Sequence, residues 1–253
     1  MRSITSSASP RSRYRSDTVS ELILVRHGQA SFGAESYDKL SAKGVEQAKI
    51  LAQHWKGLSE NFDHIYSGTL LRQRETAHEL LPLVAGTPEG PAQLSGFNEY
   101  NGDPLIRIHL RDLRAAGEHA PSEWPIKDER QFQKIFEVAT ARWIRDDLDP
   151  RDDVDGFESW ASFKSRVYSA MDEVMARHAQ GSRVIISTSG GVIAMALQRV
   201  LNFPDEHVIA TNWMVRNSSV TRIIYGRGKL SLTQFNNLAH LENPENKHMI
   251  TFR

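Results

Sequence analysis

The segment LILVRHGQASFG (residues 22–33) joins a short apolar run directly to an arginine, a histidine and a glycine. Four consecutive aliphatic residues between polar ones are typical of a buried strand. In open α/β sheets, ligands bind beyond the carboxyl ends of the strands. The segment therefore predicts a strand that delivers Arg26 and His27 to a ligand site. Gly28, which has no Cβ, would let the ligand approach the backbone there.

Similar apolar runs recur along the chain and alternate with helical patterns. Two further runs are predicted as strands, DHIYS (63–67) and RVIIS (183–187), and SVTRIIY and KLSLTQF around GRG predict a final hairpin. This alternation predicts an α/β fold, a three-layer α/β/α sandwich with a mostly parallel central sheet. Helices are predicted in five segments: one that begins after Ser41, then 69–81, 129–145, one from Trp160 to near Gly181, and SGGVIAMALQRVL (189–201), which continues the third strand as a turn and a helix.

Composition divides the chain into two parts. Residues 1–20 are rich in Ser and Arg and carry no acidic residue before Asp17, which fits either a disordered tail or an organelle-targeting segment. Residues 21–253 are predicted to form a single domain with an irregular, proline-containing lid inserted at about 97–158. The expected location is the cytoplasm, or an organelle if the first 20 residues act as a targeting segment.

The overall composition excludes several classes of function. The 253 residues include 31 Lys+Arg and 31 Asp+Glu, so the chain lacks the basic excess typical of nucleic-acid binders. No apolar run reaches the 18 residues expected of a membrane span. Cysteine is absent, which excludes disulfides, thiolate nucleophiles and zinc–thiolate sites. The ten histidines and the acidic run from Asp146 to Asp155 lack metal-ligand spacing, so no metal site is predicted.

The residues that follow the predicted strands suit a bound anion. The second strand is followed by Gly68, and the third by Ser189 and Gly190. Free N–H groups at helix N-termini favour anions such as phosphate. Arg72 would lie in the first turn of a helix, where a cation opposes the helix dipole. A role in binding a phosphoryl group would explain why a guanidinium is kept at a position that is slightly unfavourable for the helix. The alternative is an exposed arginine that binds no ligand.

His27 has the neighbours expected of a nucleophile. The adjacent Arg26 favours the neutral imidazole, which keeps one nitrogen lone pair free. Attack of that lone pair on phosphorus would form a covalent phosphoenzyme. The alternative is a structural histidine that only makes hydrogen bonds near the strand end.

A series of segments, in order along residues 21–236, carries a family resemblance. They are LILVRHGQA, LSAKGVEQA, IYSGTLLRQRETA, LSGFNEYNGD, VIISTSGGVIA and NSSVTRIIY. Together they resemble the histidine phosphatase superfamily, also called phosphoglycerate-mutase-like. An isolated RHG would be a weak signal, whereas ordered matches over most of the chain are a strong one.

The resemblance implies a role for each candidate residue. His27 would become phosphohistidine, and Arg26 and Arg72 would bind the phosphoryl oxygens. Glu99 would donate a proton to the leaving oxygen and later activate water, although a solvated loop carboxylate is the alternative there. The reaction would need no metal and no cofactor. The implied partner is a small phosphorylated substrate, and neither nucleic acid nor a membrane.

One position departs from the family pattern. Members usually carry T-H-G-G where this chain has TSGG, so Ser189 replaces a histidine that helps to hold the phosphoryl charge. Loss of one preorganised donor costs roughly 10²–10³ in rate, although serine keeps one neutral donor. We expect a working phosphomonoester hydrolase that binds phosphate through Ser189 and the backbone at Gly190. A phosphoglycerate-type mutase is disfavoured, because that reaction should need the complete site.

The alternative is a weak or inactive relative that binds a phosphorylated ligand or a protein partner. Trp124 and Trp143 of the lid are the candidate protein-binding surface, because aromatic residues are enriched in interface hot spots. Packing of these two side chains in the core is the competing explanation.

Overall fold

The computed structural model describes residues 19–31, 38–86, 88–121, 125–151, 156–178 and 180–252. Several residues on which the sequence predictions rest lie outside this part of the chain: residues 1–18 of the N-terminal segment, Trp124, and Asp152, Asp153 and Asp155 of the acidic run.

The described residues form strands and helices that alternate over most of the chain. The strands are β1 (Ser20–Arg26), β2 (His64–Ser67), β3 (Ala92–Gln93), β4 (Arg183–Thr188), β5 (Val220–Gly226) and β6 (Lys229–Asn237). The helices are α1 (Ala42–Gly57), α2 (Leu71–Leu80), α3 (Gly102–Ala115), α4 (Glu129–Ile144), α5 (Trp160–Arg177), α6 (Gly190–Leu201) and α7 (Glu206–Met214). Short 3-10 turns cover Leu81–Leu83, Ser95–Phe97 and Lys247–Met249.

The six strands form one mixed sheet in the order β3-β2-β4-β1-β5-β6. β1 pairs in parallel with β4, and β2 pairs in parallel with both β4 and β3. β5 runs antiparallel to β1, and β6 runs antiparallel to β5. The predicted mostly parallel sheet is therefore confirmed. The carboxyl ends of β1, β2, β3 and β4 all lie at the same end of it.

The aliphatic run in β1 lies between two helical layers. Leu22 and Leu24 belong to a buried cluster that includes residues of α5 and α6. Ile23 and Val25 belong to a second cluster, with residues of α1 and α2. Because successive side chains of a strand point to opposite faces, an uninterrupted apolar run is what a strand between two layers requires. This arrangement confirms the α/β/α sandwich.

The ends of the first two helices follow local signals. The hydroxyl of Ser41 accepts the N–H of Gly44 at 3.0 Å, so α1 has the predicted N-cap. Helix α2 begins two residues later than predicted, because Leu70 has an extended backbone, with φ of −65° and ψ of 139°, and is the N-cap. Pro82 lies in the 3-10 turn that follows α2, as expected of a residue with no N–H to donate.

Most of the predicted lid is helical, and it is part of the core. Helix α4 matches the predicted helix to within one residue. Helix α3 differs from the predicted irregular lid: Asn101 caps it, and Pro104 lies in its first turn, where a residue without an N–H is tolerated. Trp143 is only 1% exposed and donates its indole N–H to the carbonyl of Glu158 at 2.7 Å. This tryptophan therefore packs in the core and forms no docking surface.

The predicted C-terminal hairpin is present. Arg227 and Gly228 connect β5 to β6 with φ of 50° and 72°, which is the backbone of a tight two-residue hairpin turn. Among the helices of the described ranges, not one is both long enough and apolar enough to cross a membrane.

Candidate active site

A cavity of about 310 Å³ lies where the parallel strands end. The four residues predicted as catalytic, Arg26, His27, Arg72 and Glu99, all line it. Arg26 is the last residue of β1 and His27 follows it, whereas Arg72 is the second residue of α2. Glu99 follows the 3-10 turn after β3. Three segments that are distant in sequence thus meet because β1, β2 and β3 run parallel in one sheet and end at the same edge, with β4 between β1 and β2.

His27 is held in one tautomer. Its Nδ1 lies 2.7 Å from the carbonyl oxygen of Gly28, and a carbonyl can only accept, so Nδ1 carries the proton. Its Nε2 therefore has the lone pair and accepts the Nε–H of Arg72 at 3.3 Å. Burial, and then the charges of Arg72 and Arg26, lower the pKa of His27 well below its ordinary value. The ring is neutral with a basic nitrogen directed at an arginine of the cavity.

Arg72 is oriented by Asp38. One carboxylate oxygen of Asp38 accepts from the Arg72 guanidinium at 2.6 Å, and the other accepts the N–H of Leu71 at 2.8 Å. The same carboxylate thereby satisfies a free N–H at the start of α2 and fixes the arginine beside it. The Arg72 side chain is 13% exposed, so its charge is only partly screened by water.

Arg26 connects two other parts of the chain to the cavity. Its guanidinium donates to the carbonyl of Val215, just after α7, and to the carbonyl of Phe252 at 2.8 Å. The C-terminal segment is held independently, since the Gln47 side chain donates to the Met249 carbonyl. The last residues of the described chain therefore help to position a predicted catalytic arginine.

Glu99 is partly buried beside the start of α6. Its Oε2 accepts the N–H of Gly191 at 3.0 Å, and its Oε1 accepts the N–H of Tyr100 at 3.2 Å. Burial raises the pKa of Glu99, although these hydrogen bonds and the two arginines act in the opposite direction. A raised pKa lets this carboxyl hold a proton at higher pH than an exposed glutamate does.

Ser189 and Gly190, predicted to bind phosphate, are not among the residues that line the cavity. Ser189 is fully buried, and its hydroxyl accepts from the Gln73 side-chain amide at 2.8 Å. A Cβ on Gly190 would lie 2.2 Å from the side-chain oxygen of Asn212, and one on Gly191 would lie 2.3 Å from Glu99 Oε1. The expectation that Ser189 faces the cavity is therefore not met. The glycine pair makes room for Asn212 and Glu99.

The position of Gly28 also differs from its predicted use. A Cβ on Gly28 would lie 2.2 Å from the carbonyl oxygen of Gly44, so the glycine allows close packing of the turn on α1. The N–H of Gly28 donates to the hydroxyl of Thr76 in α2 at 3.0 Å. Gly28 thus fixes the direction of the neighbouring His27, and helix α1 occupies the space assigned to a ligand.

Sequence reasoning missed several residues of the site. Asp38 and Gln73 lie beside the predicted residues and orient Arg72 and Ser189. Asn212 lines the cavity from α7, a helix that was not predicted. Gln73 lies within the motif IYSGTLLRQRETA, which is a sequence signal for a residue near the site. No local feature of the sequence marks Asn212. In the described ranges, no group of three or more His, Asp and Glu side chains could hold a metal ion.

Comparison with known proteins gives evidence on the family of this chain. A family model described as the histidine phosphatase superfamily (branch 1) matches residues 22–131 and 104–238. A phosphoglycerate mutase from Bacillus anthracis is 23% identical with a TM-score of 0.60, over 90% of this chain and 97% of that one. A mutant phosphoserine phosphatase from Entamoeba histolytica, in complex with phosphoserine, is 21% identical with a TM-score of 0.58, over 88% and 99%.

An α-ribazole phosphatase from Shigella flexneri is 18% identical with a TM-score of 0.55, over 86% of this chain and 96% of that one. Likeness at these identities shows that the fold is shared. The family match covers most of the chain and includes the strand that carries Arg26 and His27. The chain belongs to the histidine phosphatase superfamily (branch 1).

Proposed function

We propose that this protein hydrolyses small phosphomonoesters through a phosphohistidine intermediate on Nε2 of His27. Membership of the superfamily supports a phosphatase-type activity in general. One observation supports the finer proposal most strongly. The Nδ1 proton of His27 is engaged by the Gly28 carbonyl, so the lone pair of Nε2 is directed at Arg72 and the cavity.

In the first step, Nε2 attacks phosphorus and the bond between phosphorus and the ester oxygen breaks. Arg26 and Arg72 stabilise the charge on the three equatorial phosphoryl oxygens. Glu99 gives its proton to the leaving oxygen, so that the alcohol departs neutral. The raised pKa of Glu99 supports this role, because the carboxyl must be protonated when the substrate binds.

In the second step, the Glu99 carboxylate takes a proton from water, and the water oxygen attacks phosphorus. The bond between phosphorus and Nε2 breaks, inorganic phosphate leaves, and both His27 and Glu99 return to their starting protonation states. In this scheme the Ser189 hydroxyl positions the side-chain amide of Gln73. That amide also donates to the carbonyl of Phe97, two residues before Glu99. The proposal assigns no step to a metal or cofactor.

A small phosphorylated substrate fits the dimensions of the cavity. The volume of about 310 Å³ is at the lower end of the range for small-molecule sites. The Entamoeba histolytica relative was solved with phosphoserine, a compound of that size class. Binding of a phosphorylated ligand without turnover is the competing proposal, and it keeps the same residues in a recognition role.

The test is hydrolysis of 4-nitrophenyl phosphate by the purified protein with EDTA present. His27→Ala should reduce hydrolysis to the level of the blank, whereas His248→Ala, a change at an exposed histidine, should leave it unchanged. Brief incubation with labelled substrate should also produce an acid-labile, alkali-stable phosphoprotein that His27→Ala cannot form. Equal hydrolysis by the wild type and His27→Ala would contradict the proposal.

A further inference from the structure

The wall of the cavity beside the catalytic residues is largely aromatic. Phe132, Phe136, Trp213 and Phe252 line it together with Tyr100. The rings of Phe132 and Phe136 are 5.7 Å apart and nearly parallel, with an interplanar angle of 16°. Trp213 follows at 5.9 Å from Phe136, inclined by 55°. Phe132, Phe136 and Trp213 therefore form a continuous surface.

The rings come from three separate parts of the chain and remain partly open to the cavity. Phe132 and Phe136 lie one turn apart on α4, and Trp213 lies on α7. All three side chains are only half-buried, whereas Trp143 on the same helix α4 is buried in the core. Phe252 is 54% exposed, and the Arg216 guanidinium stacks 3.4 Å from the centre of its ring. Each ring therefore has a face that a bound molecule can contact.

The charged side chains among the lining residues of the cavity are few. Among the described residues that line the cavity, the cationic side chains are Arg26 and Arg72, which the proposed function commits to the phosphoryl group. Glu99 is the acid among those residues. A second anionic group placed against Phe132, Phe136 or Trp213 would therefore meet uncharged aromatic rings. An uncharged, apolar group would instead meet apolar aromatic surfaces.

From this arrangement we propose that the preferred substrates are phosphomonoesters whose alcohol carries an uncharged aromatic ring. The phosphoryl group binds between Arg26 and Arg72, and the ring packs against Phe136 and Trp213. Ring-on-ring contacts with offset or edge-to-face geometry stabilise binding beyond the burial of apolar area alone. This inference deepens the proposed function and rests on it for turnover, but the ring preference can be measured without catalysis.

The experiment compares phosphonates, which keep the charged group and lack the bond that is hydrolysed. Binding of benzylphosphonate, cyclohexylmethylphosphonate, propylphosphonate and 2-carboxyethylphosphonate to the full chain is measured by calorimetry. Benzylphosphonate should bind about tenfold more tightly than propylphosphonate, and more tightly than the cyclohexylmethyl compound of similar size. The carboxyethyl compound should bind most weakly.

Variants locate the preference within the cavity. In Trp213→Ala and in Phe136→Ala, the affinity for benzylphosphonate should fall to about the affinity for propylphosphonate. Val138→Ala is the matched control, because Val138 lies on α4, is 47% exposed and does not line the cavity. Since the wild-type ranking is measured without any variant, a variant that fails to fold does not weaken the test.

Each outcome has a separate meaning. Equal affinity for benzyl- and propylphosphonate, equal affinity for benzyl- and cyclohexylmethylphosphonate, or binding of none of the four overturns this inference. Hydrolysis of 2-phenylethyl phosphate and propyl phosphate, whose alcohols leave as similar primary alkoxides, then tests turnover. A ring preference in binding without hydrolysis of either ester would overturn the proposed function alone. Equal hydrolysis of both esters would overturn the ring preference alone.

Discussion

The Nε–H of Arg72 donates to Nε2 of His27 across 3.3 Å. A residue predicted to bind the phosphoryl group therefore occupies the lone pair of the proposed nucleophile. Burial, and then the charge of Arg72, lower the pKa of His27, because a protonated ring would lose its hydration and would face a guanidinium. The contact also places the guanidinium within reach of any phosphoryl group that attaches to Nε2. The resting site is thus neutral at the histidine and cationic immediately around it.

Arg72→Lys tests this relationship. Lysine keeps the charge but cannot reproduce the paired contacts to Asp38 and His27, because it has a single ammonium group. We expect kcat to fall about 100-fold, the usual effect of losing one preorganised donor. The measurement is steady-state hydrolysis of an aryl phosphate. Arg74→Lys, an exposed position on the same helix, is the control, and a similar loss in both variants would contradict a specific role for Arg72.

The pH dependence of kcat/KM should reveal the roles of Glu99 and His27. The pKa of Glu99 is raised, so its acid form persists above the usual glutamate range, and activity should decline as pH rises through that raised pKa. The pKa of His27 is lowered, so no loss of activity is expected as pH falls through 6.5.

The variant Glu99→Gln separates this decline from the effect of substrate ionisation. The substrate phosphate titrates in the same way in assays of the wild type and of the variant. The variant should lose roughly 10²–10⁴ in rate and should not show the decline assigned to Glu99. An alkaline decline identical in wild type and Glu99→Gln would mean that another group donates the proton.

Gly191→Ala should impair catalysis by displacing Glu99, and it should also lower stability because the added Cβ would lie 2.7 Å from the buried Tyr100 ring. The added Cβ would lie 2.3 Å from Glu99 Oε1, so the carboxyl must move away from the N–H that positions it. We expect kcat to fall about 100-fold or more, as for loss of a general acid. Gly57→Ala, where nothing lies within 4 Å, is the control and should leave kcat unchanged. Unaltered kcat in Gly191→Ala would show that Glu99 tolerates displacement.

Ser189→Ala should destabilise the fold. The Gln73 side-chain amide donates to Ser189 and to the Phe97 carbonyl, and all of these groups are buried. Removing the hydroxyl leaves one amide proton without its acceptor, which costs about 1–3 kcal/mol. Urea unfolding measures the effect, with the exposed Ser165→Ala as reference. No difference between the two variants would mean that the Ser189 hydroxyl is not needed as an acceptor.

His240 should make unfolding depend on pH. Burial, with a smaller contribution from His54, lowers the pKa of His240 to about 3, and its Nε2 lies 2.9 Å from the Ser218 hydroxyl. The unfolded chain, with a histidine pKa of about 6.5, binds the proton more readily. Stability is therefore complete above pH 6.5 and falls as pH decreases toward 3, by about 1.4 kcal/mol per pH unit for this group.

The check is the slope of unfolding free energy against pH in His240→Gln, which keeps a polar side chain and does not titrate. That slope should be shallower than in wild type between pH 6 and 4. His248→Gln, at an exposed position, should retain the wild-type slope. Equal slopes in all three proteins would show that His240 is not the group responsible.

Local sequence determined most of the strands and helices, although not β3, α3 or α7. The aliphatic run at 22–25 requires apolar contacts on both faces of a strand, and therefore predicted a sheet between two helical layers. Ser41 marked the start of α1 through its own hydroxyl. Because the ends of parallel strands coincide, the sequence also predicted that Arg26, His27 and Arg72 would share one site. All three predictions depend on short-range chemistry or on a general rule of sheet geometry.

Only the tertiary structure decided how the remaining side chains are used. Gln73 and Ser189 lie 116 positions apart, and their contact buries a serine that local sequence placed beside the phosphate. The aromatic wall combines Phe136 of α4 with Trp213 of α7 and Phe252 near the C-terminus. No periodicity links such positions, because side-chain direction and close approach between distant segments are set by packing of the whole core.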